Sequence, residues 1–120
     1  MVPDYSERLA IVRSRFAAGL ESKVDKVFAV VPSLSAGTPA ATAIGAVNTA
    51  YRGLHDIVGI GPAVGFVATG QAARTAENIL LRPQRDERAL TAQEIDLFKK
   101  SLHGLRETAR RELQNFRLGR

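Results

Sequence analysis

The side chain with the clearest chemical potential in this sequence is His55, because an imidazole can accept and release a group through a ring nitrogen near neutral pH. It lies near the end of an apolar segment with helical periodicity, in which Tyr51, Leu54 and Val58 share one strip. His55 falls on the neighbouring strip, so we expect its ring at the border of the buried face, within reach of solvent. Gly59, one turn later, has no side chain to cover the ring, which predicts that another protein can approach it closely.

Two predicted helices make up the first half of the chain. Asp4 or Ser6 can cap the first helix, whose apolar spacing continues until Pro32 ends it. The second helix is predicted to begin with Thr38 as its cap and Pro39 at the first helical position, where the missing N–H costs nothing. This second helix carries the histidine.

Two further helices are predicted after the second one is broken at a Gly- and Pro-rich stretch. Pro62 is predicted to open a third helix that runs through Leu81, and residues 82–88 are predicted to form a charged turn. Thr91 and Glu94 have the spacing of a capping box, which predicts the start of the last helix.

These patterns predict an all-α protein, because no segment alternates with the period of a half-buried strand. Four helices with short connections predict an antiparallel up-and-down four-helix bundle, and the length of 120 residues predicts a single domain over residues 1–120. No apolar run approaches the roughly 20 residues needed to span a bilayer, and charged residues occupy the N-terminus. We therefore expect a cytoplasmic protein with no membrane partner.

Composition narrows the possible chemistry. The chain has no cysteine and two histidines far apart, which excludes thiol chemistry and predicts neither a metal site nor a bound cofactor. The net charge of +5 comes mainly from the last third of the chain. Basic residues alternate there with acidic ones and without interleaved aromatic residues, which favours a solvated helix face over a nucleic-acid-binding surface.

The segment around the histidine resembles a known family. His55 is followed by glycine four residues later at Gly59, by a second glycine ten residues later at Gly65, and then by the apolar Phe66. This pattern is similar to that of the histidine phosphotransfer (HPt) domains of bacterial phosphorelays. The resemblance implies an HPt-like four-helix bundle with the histidine as phosphoacceptor.

Two segments further along the chain are similar to the phosphotransfer domains of chemotaxis histidine kinases. Glu77-Asn78-Ile79-Leu80 lies where that subfamily carries Glu-Asn-Leu-Leu, and residues 90–97 look like the start of its next helix. The resemblance implies that Glu77 accepts a hydrogen bond from one ring nitrogen of His55 and that the outer nitrogen carries the phosphoryl group. A carboxylate on the N–H side would fix the tautomer and leave the far nitrogen nucleophilic.

The chain departs from the family at Val58, where the family usually has a lysine that offsets phosphoryl charge. Two arginines are candidate replacements: Arg52, one turn before His55, and Arg74, one turn before Glu77. We favour Arg74, because it lies one turn before Glu77 and is expected to face the same side of its helix. The alternative interpretation of Glu77 is an exposed acid paired with Arg74.

The function implied by the resemblance is that of a phosphocarrier in a two-component phosphorelay, with no catalytic machinery of its own. The sequence contains no Walker loop, no kinase glycine loop and no acidic metal cluster. The receiver domain of a response regulator would supply the aspartate, Mg²⁺ and a lysine, and a sensor histidine kinase would be the other partner.

Two alternatives remain open from the sequence. Val58 is compatible with a degenerate HPt-fold adaptor that binds a receiver or kinase without carrying phosphate. The other alternative is an unrelated helical bundle that self-associates or binds nucleic acid through its basic last helix. His103 has no accompanying motif and is interpreted as structural or exposed.

Overall fold

The structure, a computed structural model, describes residues 4–119 and is all-helical over that range. It contains the four α-helices α1 (Tyr5–Val30), α2 (Ala40–Ile60), α3 (Val67–Arg85) and α4 (Ala92–Arg117). Short 3-10 turns follow the first two helices, at Val31–Ser33 and Pro62–Val64. Between positions 4 and 119, no helix is long and apolar enough to cross a lipid bilayer.

The four helices form a bundle around one apolar core. α2 packs against α3, α3 packs against α4, and α1 contacts both α2 and α4. Each helix contributes fully buried side chains to the core, among them Leu20, Leu54, Leu80 and Leu102. The predicted all-α class is confirmed, and the helix that carries the histidine is held on both sides by neighbours.

Two predicted helix starts are confirmed by their hydrogen bonds. Asp4 Oδ1 accepts from the Glu7 backbone N–H at 2.8 Å, which caps α1. At the start of α4, Thr91 Oγ1 accepts from Glu94 N–H at 3.1 Å, and the Glu94 carboxylate accepts from Thr91 N–H at 2.9 Å. This reciprocal pair is the capping box that the sequence predicts.

The predicted start of the second helix is wrong by one position. Pro39 is itself the N-cap with an extended backbone (ψ 137°), and no side chain within residues 4–119 caps the helix. Thr38 belongs to the preceding turn, because its N–H donates to the Ser35 carbonyl at 3.0 Å. The helix therefore begins at Ala40.

The predicted start of the third helix is also wrong. Pro62 opens a separate 3-10 turn, which Gly65 ends in the left-handed conformation with φ 92°. A glycine suits this position, since side chains are strained there. Phe66 is then buried and its N–H donates to the Gly61 carbonyl at 2.8 Å, so α3 begins only at Val67.

The charged turn predicted over residues 82–88 is partly helical. α3 continues past Leu81 to Arg85 with Pro83 inside its last turn. A proline there removes one intrahelical hydrogen bond. Pro83 is buried, and the Asp86 N–H donates to the Arg82 carbonyl at 2.9 Å, which closes the helix.

Candidate functional site

His55 lies in the second half of α2 and is directed outward. Its side chain is 62% exposed, whereas Leu54 and Ile57 beside it are fully buried. These two anchors fix the rotation of the helix about its axis. The imidazole therefore stands at the border of the core, as its strip on the helix predicts.

Glu77 on α3 holds the imidazole from the neighbouring helix. Its side chain is only 7% exposed, and Oε2 lies 2.9 Å from His55 Nδ1. A buried carboxylate is costly unless it is paired, and here the imidazole is its partner. Because an ionised carboxylate can only accept, the hydrogen lies on Nδ1, and the lone pair of a neutral ring is left on Nε2.

Tyr51 covers one face of the imidazole. The two ring centroids are 5.6 Å apart and the planes differ by 14°, so the rings are stacked. Side chains on a helix lean toward its N-terminus, so His55 packs over the residue one turn before it. The sequence pattern places Tyr51 on the apolar strip and does not by itself indicate this contact, although a spacing of four from His55 is compatible with it.

Gly59, one turn after His55, is exposed and lies in open space. A Cβ built at this position would meet no atom within 4 Å. A glycine inside a helix costs about 1 kcal/mol relative to alanine. Packing within the described chain therefore does not require a glycine at this position. The glycine leaves the surface beside His55 uncovered.

An apolar groove begins at this glycine. We call it the Gly59 groove; it has a volume of about 550 Å³ and lies between the first half of α1 and the end of α2. It is lined by Tyr5, Arg8, Leu9, Val12, Gly59, Ile60, Ala63 and Val64. Tyr5 is 74% exposed at its edge. A large exposed apolar surface of this kind is typical of an interaction site.

The two candidate arginines are exposed and lie one turn from the imidazole and its carboxylate along their helices. Arg52 Nε donates to the Asn48 carbonyl of its own helix at 3.4 Å. Among the residues that the structure describes, neither Arg52 nor Arg74 forms a hydrogen bond or ion pair with His55 or Glu77. The alternative interpretation, in which Glu77 pairs with Arg74, is therefore wrong for this structure, because Glu77 pairs with His55.

Val58, at the position of the family's lysine, is partly buried and packs against the core. No charge stands at that position to meet a phosphoryl group. Any neutralisation of such a group by this chain would have to come from the exposed arginines.

The other histidine has a different environment. His103 lies at an exposed position of α4. The centroids of the His103 and Phe28 rings are 5.3 Å apart, and the ring planes are tilted by 58°. No carboxylate of the described chain holds it by a hydrogen bond or ion pair, unlike His55. Over residues 4–119 there is also no group of three His, Cys, Asp or Glu side chains able to hold a metal ion.

Strong electrostatic coupling occurs away from the imidazole, at the turn between α3 and α4. Arg88 donates to both carboxylate oxygens of Glu94, at 2.7 and 3.1 Å. These bonds lower the pKa of Glu94 to about 2 and raise the pKa of Arg88. The pair reinforces the capping box of α4 and thus belongs to the scaffold.

Chemically, the site offers one oriented, accessible ring nitrogen and an adjacent open surface. It can accept a group that a partner delivers.

Comparisons with known protein families, curated proteins and solved structures find no match to this chain. A function can therefore be proposed only from the geometry around His55 together with the resemblance in sequence.

Proposed function

We propose that this protein is a histidine-containing phosphotransfer domain of a two-component phosphorelay, with an HPt-like antiparallel up-and-down bundle. His55 Nε2 carries the phosphoryl group to or from the aspartate of a response-regulator receiver domain. The observation that carries this proposal is the 2.9 Å contact between Nδ1 of an exposed imidazole and a buried carboxylate. The same contact pairs the buried carboxylate and leaves the other ring nitrogen on the exposed side, where a partner can reach it.

The transfer step follows from this arrangement. The Nε2 lone pair attacks the phosphorus of the receiver's aspartyl phosphate, an N–P bond forms, and the P–O bond to the aspartate breaks. The Nδ1 proton stays on the ring, where Glu77 accepts it in a hydrogen bond and offsets the positive charge that the ring gains. Phosphoryl transfer depends mainly on positioning and charge neutralisation, and the receiver's Mg²⁺ and lysine supply most of the latter.

The Gly59 groove supports the approach of a protein partner. It starts one helical turn from His55, and its floor is apolar. A receiver that fills the groove would bring its aspartate toward the imidazole and exclude water from the transfer. The same surface would serve the sensor histidine kinase.

Arg74 is proposed to contact the transferred phosphoryl group in place of the family's lysine. It is exposed on α3, one turn before Glu77, and a guanidinium group offers several N–H donors that suit phosphate oxygens. Replacing Arg74 by alanine should slow transfer or shorten the lifetime of the phosphohistidine, measured by loss of label over time. Arg110→Ala, an exposed arginine on α4, is the control. An unchanged rate and lifetime in Arg74→Ala would remove Arg74 from the mechanism.

A second candidate function is an HPt-like adaptor that binds a receiver or kinase without carrying phosphate. The observation that favours it is Val58, which packs against the core where a phosphotransfer domain usually has a charge. In this case the Gly59 groove would still bind a receiver, and His55 would remain unmodified.

One experiment separates the two functions. The protein is incubated with phosphorylated receiver domains encoded in the same genome, and acid-labile phosphate on it is measured. The carrier function predicts label in the wild type and in His103→Gln, and no label in His55→Gln. Binding of a receiver without any label in the wild type would establish the adaptor instead.

A further inference from the structure

We propose that Tyr51 is a positioning residue for phosphoryl transfer at His55. It acts by holding the plane of the imidazole so that Nε2 stays aimed at the incoming phosphorus. This inference rests on the proposed function of His55. It adds a residue to which the family resemblance assigns no role.

The first argument is that Tyr51 is the anchored member of the stacked pair. It is partly buried and packs against the core, whereas the His55 side chain is mostly exposed. The rings lie nearly parallel at 5.6 Å, within the range in which offset aromatic pairs attract each other. The partly buried tyrosine ring is therefore placed to restrain the exposed imidazole that stacks against it.

The second argument is that the carboxylate alone does not fix the ring. Glu77 contacts a single atom, Nδ1, so the imidazole remains free to tilt and swing about that contact. Tyr51 restrains a different degree of freedom, because stacking fixes the orientation of the ring plane. The hydrogen bond from Glu77 and the stacking of Tyr51 together hold the imidazole in one orientation, so Nε2 points in one direction. Misplacing a reacting atom by about 1 Å can cost on the order of 10²-fold in rate.

The experiment uses phosphoramidate, a small donor that needs no partner protein. Nε2 attacks its phosphorus, the P–N bond breaks, and ammonia leaves. Three forms of the full chain are compared: wild type, Tyr51→Phe, which keeps the stacked ring, and Tyr51→Leu, which keeps an apolar side chain of similar reach. We expect labelling of His55 to be about three- to tenfold slower in Tyr51→Leu and within about twofold of wild type in Tyr51→Phe. Labelling of free imidazole added to the same samples corrects for donor activity.

A second readout separates positioning from a general loss of structure. Nitrogen-15 NMR of the His55 ring reports its tautomer, and three-bond coupling constants report its side-chain rotamer. We expect Tyr51→Leu to average the rotamer while the Nδ1–H tautomer, set by Glu77, stays unchanged. We expect Glu77→Gln to disturb the tautomer while the stacked rotamer persists.

The outcomes distinguish this inference from the proposed function. If the wild type is labelled at His55 and Tyr51→Leu reacts equally fast with a single rotamer, the role of Tyr51 is overturned. If His55 stays unlabelled by phosphoramidate and by receivers, the carrier function fails. The rotamer measurement then still decides whether Tyr51 holds the imidazole, because it requires no phosphate.

Discussion

Replacing Gly59 by alanine should make the protein more stable and less active at the same time. The added Cβ meets no atom within 4 Å, so the folded chain gains no clash. Removing a glycine from a helix stabilises it by roughly 0.5–1 kcal/mol. For a domain of this size, that gain corresponds to a rise of about 2–6 °C in Tm.

The loss of activity should appear only with a protein donor. A methyl group on a closely packed interface costs about 1–3 kcal/mol, which lowers the rate of transfer from a phosphorylated receiver by roughly five- to 150-fold. Labelling by phosphoramidate should be unchanged in Gly59→Ala, because a small donor does not need the surface beside the imidazole. The assay pairs thermal unfolding with both labelling rates.

Gly45→Ala is the matched control for this prediction. Gly45 lies on the same helix, is exposed, and a Cβ there also meets nothing within 4 Å. Its ten-residue separation from His55 places it about 15 Å away along the helix. It should give the same stabilisation with normal transfer from the receiver. Equal transfer rates in the Gly59 and Gly45 variants would refute the inference that the partner approaches over Gly59.

Three further substitutions test the site and its scaffold. Glu77→Gln should slow phosphorylation of His55 about tenfold, measured by label incorporation, because a neutral acceptor holds the imidazole less strongly than a carboxylate. Gly70→Ala should lower the free energy of unfolding by about 1–3 kcal/mol in urea titrations, since its Cβ would lie 2.5 Å from Pro62 Cγ. The pKa of Glu94 is lowered from 4.5 to about 2, so its stabilising effect is present above pH 4.5 and is lost as the pH falls toward 2. Glu94→Gln should therefore flatten the stability profile between those values, and an unchanged acid profile in urea titrations would contradict this.

The sequence predicts those parts of the fold that depend on local patterns. The capping box at Thr91 and Glu94 is a short-range signal and appears in the structure as predicted. The outward position of His55 follows from helical periodicity, because its neighbours on α2 must face the core. The assignment of phosphotransfer depends on family resemblance and stays a prediction.

The errors arise where tertiary packing decides the local structure. Pro62 has the local signal of a helix start, but burial of Phe66 and the left-handed Gly65 place a separate turn before α3. Pro83 has the local signal of a helix end, but its burial keeps it within the last turn of α3. The stacking of Tyr51 on the imidazole depends on side-chain direction as well as spacing, so the apolar pattern alone did not reveal it.

The most direct test of the central claim is to locate the phosphoryl group on the phosphorylated protein at the level of the atom. Phosphorus-31 and nitrogen-15 NMR distinguishes Nε2-phosphohistidine from Nδ1-phosphohistidine, and mass spectrometry identifies the residue. Because Nδ1 of His55 is occupied by its hydrogen bond to Glu77, phosphate is predicted on Nε2 of His55. Phosphate on Nδ1 of His55, or on no atom of His55 after exposure to phosphorylated receivers, would contradict the account.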